Sequence, residues 1–204
     1  PRRFALPTRA VLAIGLVGFC GTFAEGASAD WAAVYLTEVA GSGPGLAAAS
    51  YTIFMSCMAG TRLAGDRLVR RLSAAKVVRY GGTVAVLGGV LVVVSRAPLP
   101  AMAGFALLGV GVATVLPLVF AAAADTGSTP GEGVAGVATI TYLSGLTAPA
   151  ITGWTAGALS YPAAFAMITC VVALMTLSAG ALRPRGPSAP TQPAETPART
   201  ATAI

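Results

Sequence analysis

The sequence contains no histidine, only three cysteines, and charged residues make up only 10% of its 204 positions. Each shortage excludes a class of function. Without histidine, and with Cys20, Cys57 and Cys170 far apart inside apolar runs, there is no ligand set for a zinc centre and no imidazole to activate a nucleophile. No enzyme activity, metal or cofactor is therefore expected. No Gly-x-x-x-x-Gly-Lys-Ser/Thr segment occurs, which removes the phosphate-cradling loop of an ATP-driven machine. A chain that is 55% hydrophobic with so few charges cannot cover a water-soluble surface. Its net charge of +6 does not indicate a nucleic-acid partner either, because the cations flank apolar runs instead of lining a face with aromatics. The expected surroundings are a lipid bilayer.

What the chain does have is a sharply uneven distribution of cations. Of thirteen Lys and Arg, six fall between Arg62 and Arg79, three precede Ala10 and three follow Leu182, leaving Arg96 alone elsewhere. Basic residues resist translocation, so these clusters mark the cytoplasmic side. Apolar runs of about 20 residues span a bilayer, and the sequence is divided accordingly. A cytoplasmic approach over 1–9 leads to six expected spans at about 10–36, 46–63, 77–95, 101–124, 134–158 and 163–182, followed by a disordered Pro/Thr/Ala-rich cytoplasmic tail at 183–204. Six crossings leave both termini in the cytoplasm of a multi-pass protein of the cell (inner) membrane. The chain starts at Pro1, not Met, so a fragment of a longer protein is expected.

Carboxylates inside a span are expensive and normally face protein or a wet cavity. Glu25 and Asp30 lie in the outer half of the first span, about 140° apart around the helix, too far for a shared proton. Glu25 is the deeper and the stronger candidate for a solute or proton path, and Asp30 is a candidate for its outer mouth. Trp31 and Tyr35, four residues apart, read as an outer aromatic belt. In the second span Tyr51, Met55, Met58 and Arg62 follow at spacings of three and four and form one stripe. That stripe either lines the path or packs the helix. The paired glycines Gly81-Gly82 and Gly88-Gly89, seven apart, predict close helix approach in an otherwise aliphatic third span. Pro117 predicts a kink in the fourth span. Tyr142 and the series Gly145, Pro149, Gly153 predict a polar, bendable fifth span, while the third and sixth read as peripheral.

Two groups of three spans emerge, each with two polar, bendable members and one aliphatic member, the pattern expected of inverted three-helix repeats. The fold class is thus an all-α integral membrane protein of six transmembrane helices. Arg62-Leu-Ala-Gly65-Asp66-Arg67-Leu-Val-Arg70-Arg71 resembles the cytoplasmic loop signature Gly-x-x-x-Asp-Arg-x-Gly-Arg-Arg of the major facilitator superfamily, with Arg62 and Val69 standing where that family has Gly. Glu25-Gly26-x-x-x-Asp30-Trp31-x-x-x-Tyr35 is similar to the seventh helix of its fucose-permease-like branch, and Gly145-x-x-x-Pro149-x-x-x-Gly153 to the eleventh. The resemblance implies the C-terminal half of a secondary active transporter that moves a small sugar-like or amphipathic solute by alternating access. It implies proton coupling, a cytoplasmic gate at Arg62, Gly65, Asp66, Arg67, Arg70 and Arg71, and a partner in the missing N-terminal half or a second copy. The alternative reading is a stand-alone six-helix scaffold or half-size homodimeric transporter, in which Glu25 and Arg62 hold subunits together.

Overall fold

The computed structural model describes residues 8–126 and 131–183; the approach before Thr8, residues 127–130 and the expected disordered tail beyond Arg183 lie outside the described residues, as does the Asp66 side chain. Seven helices and a closing 3-10 turn form six rods: α1 (Arg9–Glu38), α2 (Pro44–Arg71), α3 (Ala74–Val94), α4 (Pro98–Val112) continuing into α5 (Val115–Ala124), α6 (Glu132–Ala158), and α7 (Tyr161–Ser178) with its turn Ala179–Leu182. There is no strand among the described residues. Five rods are long and apolar enough to cross a membrane by length and composition alone. The sixth, α2, has the length but carries cations in its last third.

Local chemistry sets the ends. Thr8 and Ser160 cap α1 and α7 by accepting the N–H groups of Val11 and Ala163 through their hydroxyls, and proline opens α2, α4 and α7, where its missing N–H costs nothing. Polar residues are tolerated inside the rods because the helix satisfies them. Thr61, Thr83, Thr139 and Thr176 each donate to the carbonyl four residues back.

Two expectations need correction. The helix that contains the second expected span does not stop near residue 63. The helix runs on to Arg71, so the gate signature is the last turns of α2 and the connection to α3 is only Leu72 and Ser73. Ending there places Arg70 and Arg71 in the last turn, where cations complement the helix dipole. Nor is Tyr35 an interfacial belt residue. It is fully buried, packed edge-on against Phe105 and Phe165, with its hydroxyl donating to the Val92 carbonyl at 2.6 Å. The last carbonyls of a helix lack internal donors, and Tyr35 supplies one to the end of α3. Arg96 supplies more, its Nη1 donating to the carbonyls of Val93 and Ser95, which accounts for the isolated cation at that end. Tyr35→Phe removes one of two donors to Val92, since the Ser95 N–H remains. The expected cost is about 1 kcal/mol, read from reversible unfolding in mixed micelles.

Packing follows the order of the rods. α1 packs on α6, and α2 on α4; α3 packs on α4, and α1 on α7. Exchanging rods one, two and three for four, five and six turns each member of these pairs of contacts into the other, as a two-fold relation between three-rod repeats requires. The glycines set the spacing of α3. Gly81 lies against the backbone of Gly111, and Gly88 against that of Gly104, so α3 and α4 meet antiparallel, backbone to backbone. Their neighbours Gly82 and Gly89 turn the other way and seat Thr176 and Thr169 of α7. α3 is therefore wedged between two helices by alternate members of its glycine pairs, and the two threonines of the last rod are packing residues, not isolated polar groups.

Candidate functional site

The site begins with a proline. Pro117 in α5 has no N–H, so the carbonyl of Ala113, its partner four residues back, is left without a helical donor. The fourth rod is interrupted there: α4 ends at Val112 and α5 resumes at Val115. The expected kink is thus a break at Ala113 and Thr114. The orphaned carbonyl is not left bare. Arg62 Nε, from α2, donates to Ala113 O at 2.9 Å.

The same guanidinium reaches the first rod. Arg62 Nη2 lies 3.1 Å from both carboxylate oxygens of Glu25, and this is the ion pair found among the described residues. Three rods are joined by one planar group: Glu25 on α1, Arg62 on α2 and the broken α4–α5 rod. Exposure of 41% for the Arg62 side chain and 25% for Glu25 shows that the pair sits at an open face and not in the sealed core. A second contact lies one turn along α2, where Gly65 is buried with the Thr114 methyl facing it, so α2 meets the break twice. On α1, three residues either side of Glu25, the hydroxyl oxygens of Thr22 and Ser28 are buried and have no hydrogen-bond partner.

The other candidates distribute as follows. Asp30 is exposed, away from the pair. Tyr51 and Tyr142 are exposed on α2 and α6, whereas Met58, in the same stripe as Tyr51, is 1% exposed and belongs to the packed interior. On α6, Gly145 and Pro149 lie on an open face, and no heavy atom beyond the helix's own would crowd a side chain at Gly145. Gly153 has a different task from bending: it makes room for the Trp31 ring, which also meets Tyr161 at a centroid distance of 6.2 Å. Arg67, Arg70 and Arg71 are exposed along the end of α2. Two hollows lie at this cation-bearing end and not beside Glu25. One, of about 290 Å³, is bounded by Ile14, Val69, Leu118 and Asp125, and the other is an open groove along Arg67, Leu68 and Arg71. No group of metal-ligating side chains occurs among the described residues.

From the sequence, Glu25 and Arg62 were paired only as a possible clasp between subunits, and their bond within one chain was missed. So was the Ala113 carbonyl. The available signal was the proline itself, because a carbonyl four residues before it requires a donor inside a membrane, and Arg62 is the one cation set back from the cluster at the end of α2.

No protein-family model matches the chain. The chain is 36% identical over 179 residues to an uncharacterized transporter, y4wD, of Sinorhizobium fredii, covering 87% of this chain and 48% of that protein. It is 33% identical over 180 residues to an uncharacterized MFS-type transporter of Yersinia pestis, covering 88% and 47%. The chain thus spans about half the length of these curated relatives. Among solved structures, the Escherichia coli fucose:proton symporter FucP superposes with a TM-score of 0.77 at 19% identity over 87% of this chain and 44% of FucP, and a peptide transporter, POT, with 0.75 at 19% over 89% and 39%. Sequence relatives and fold agree: the chain is a multi-pass membrane protein, similar in sequence to proteins named as transporters, one of them of the MFS type, and it has the six-helix fold of one half of a major facilitator transporter, like that of the fucose permease.

Proposed function

We propose that this chain is the C-terminal half of a secondary active transporter that carries a small sugar-like or amphipathic solute by alternating access, coupled to protons. The observation that carries the proposal is the Glu25–Arg62 pair. A carboxylate held by a guanidinium at an open face of membrane helices is costly, and it becomes useful where charge is gained and lost in each cycle. Glu25 takes the proton or a solute hydroxyl. Tyr51 and Tyr142, exposed on α2 and α6, contribute rings and hydroxyls to the same passage. Asp30 stands nearer its mouth, and the open face of α6 at Gly145 and Pro149 gives the passage a flexible wall.

The N-terminal half of the transporter completes the passage. The doubled length of the relatives supports a covalent partner over a second copy. The scaffold alternative used Glu25 and Arg62 as a clasp between subunits, yet both belong to one chain and bind each other. Both termini lie in the cytoplasm of the inner membrane, with Arg67, Arg70 and Arg71 as the cytoplasmic gate, in keeping with the cation distribution.

The test is uptake by the complete protein in proteoliposomes across a panel of sugars and amphipathic solutes, with and without an inward proton gradient. Glu25→Gln is expected to abolish stimulation by the gradient while leaving the protein folded. Uptake and gradient dependence equal to wild type would refute the assignment of Glu25.

A further inference from the structure

We infer that Arg62 couples the charge on Glu25 to the break in the fourth rod, by lending its Nε to the carbonyl that Pro117 leaves free. This rests on Glu25 being the group whose charge changes during transport, and it adds what that change moves.

Two acceptors share one rigid group. A guanidinium is planar, and its donors cannot be aimed independently. Arg62 meets Ala113 O at 2.9 Å with Nε and both Glu25 oxygens at 3.1 Å with Nη2, so the carboxylate fixes the plane that the carbonyl uses. Few other charged groups are available to Glu25. Of the elements packed on α1, α4, α5 and α7 contain no charged residue, and α6 contains only Glu132 at its first position. The remaining cations of α2, Arg67, Arg70 and Arg71, stand further along the helix at its exposed end.

When Glu25 is neutral, Arg62 holds an uncompensated charge among apolar rods. A long cationic side chain relieves that by swinging out toward the open face on which it is already 41% exposed. Ala113 O then loses its donor, and no backbone N–H can replace it because residue 117 is proline. The rod is left with an unsatisfied carbonyl at a two-residue break, where a change of backbone angle that finds a new donor becomes favourable. Neutralising a carboxylate on the first rod thereby loosens the fourth, with Arg62 as the positioning residue between them and Gly65 keeping α2 close to Thr114.

Hydrogen exchange of the complete protein in nanodiscs reads this directly at the amides of residues 114–121. Arg62→Ala and Glu25→Gln are each expected to speed exchange there about tenfold, the loss of one hydrogen bond, with peptides of α3 and α7 unchanged. Arg62→Met keeps an unbranched side chain of similar length with no donor for either acceptor, and it should speed the same amides. Pro117→Ala restores an N–H to Ala113 O, and in that background Arg62→Ala should change exchange less than twofold. Equal acceleration with and without Pro117 would overturn the inference, since Arg62 would then act only on general packing, and so would unchanged exchange in Arg62→Met. Wild-type uptake in Glu25→Gln alongside intact exchange coupling would sink the functional reading alone and support the mechanical link by itself.

Discussion

Gly111→Ala is expected to cost about 3 kcal/mol or more, and Gly111→Leu to prevent recovery of folded protein. A side-chain carbon at residue 111 would collide with the Gly81 carbonyl oxygen and lie within 2.6 Å of the Ala85 backbone nitrogen. Neither obstacle is the flexible tip of a side chain. Relief requires moving one helix axis away from the other, which also opens the Gly88–Gly104 contact seven residues along. Overpacking a close helix contact costs 1–3 kcal/mol where side chains can yield, so a backbone collision belongs at or above the top of that range. The control is Gly157→Ala, at a glycine near the end of α6 with nothing within 4 Å of the added carbon. There the gain in helix propensity, about 0.5–1 kcal/mol, should appear as a small stabilisation. Size-exclusion profiles and unfolding of the complete protein in mixed micelles check both. A Gly111→Ala protein as stable as wild type would mean that α3 and α4 are not in direct backbone contact.

The glycine pairs show how far sequence carries and where it stops. Their seven-residue repeat and the aliphatic surroundings predict close approach of some neighbour. Which glycine of each pair faces which helix depends on a three-dimensional arrangement that spacing along one rod does not contain. The third rod was expected at the periphery; it does keep an open side, with Leu87, Val90 and Val94 exposed, while its glycines are held against α4 and α7. Tyr35 failed for a related reason. Four residues from Trp31 and near a helix end, it has the position of an interfacial aromatic, but the unsatisfied end of α3 draws its hydroxyl inward. The gate signature was placed in a loop because its charges stop the apolar run, whereas a helix continues through charged residues as readily as through apolar ones when their intrinsic propensity is high. Glu25 was legible as a costly carboxylate, and Pro117 as a break. Their connection was not, because Arg62 is 37 positions from Glu25 and 51 from Ala113. The register that joins them is fixed by the short turns and by Gly65 against Thr114.

Reversing the charge at that junction is expected to produce the largest functional loss. Arg62→Glu sets two carboxylates facing each other where a nitrogen now lies 3.1 Å from both oxygens of Glu25. Like charges brought together in an interface cost several kcal/mol, and the substituted side chain also withdraws the donor from Ala113 O. Uptake by the complete protein should fall at least about a hundredfold. The swap Glu25→Arg with Arg62→Glu restores opposite charges but not the second bond, because a carboxylate cannot donate to a carbonyl. Recovery should therefore be partial, about a tenth of wild type. Adding Pro117→Ala to the swap returns a backbone N–H to the Ala113 carbonyl and satisfies it within the rod. If satisfying that carbonyl is what matters, the triple variant regains uptake. If the break itself must flex during each cycle, the triple variant instead binds solute like wild type but turns over more slowly, because a continuous helix has replaced the hinge. Binding by calorimetry beside uptake separates the two. Full recovery in the swap alone would show that the charge pair suffices and that the bond from Arg62 to the fourth rod carries none of the function.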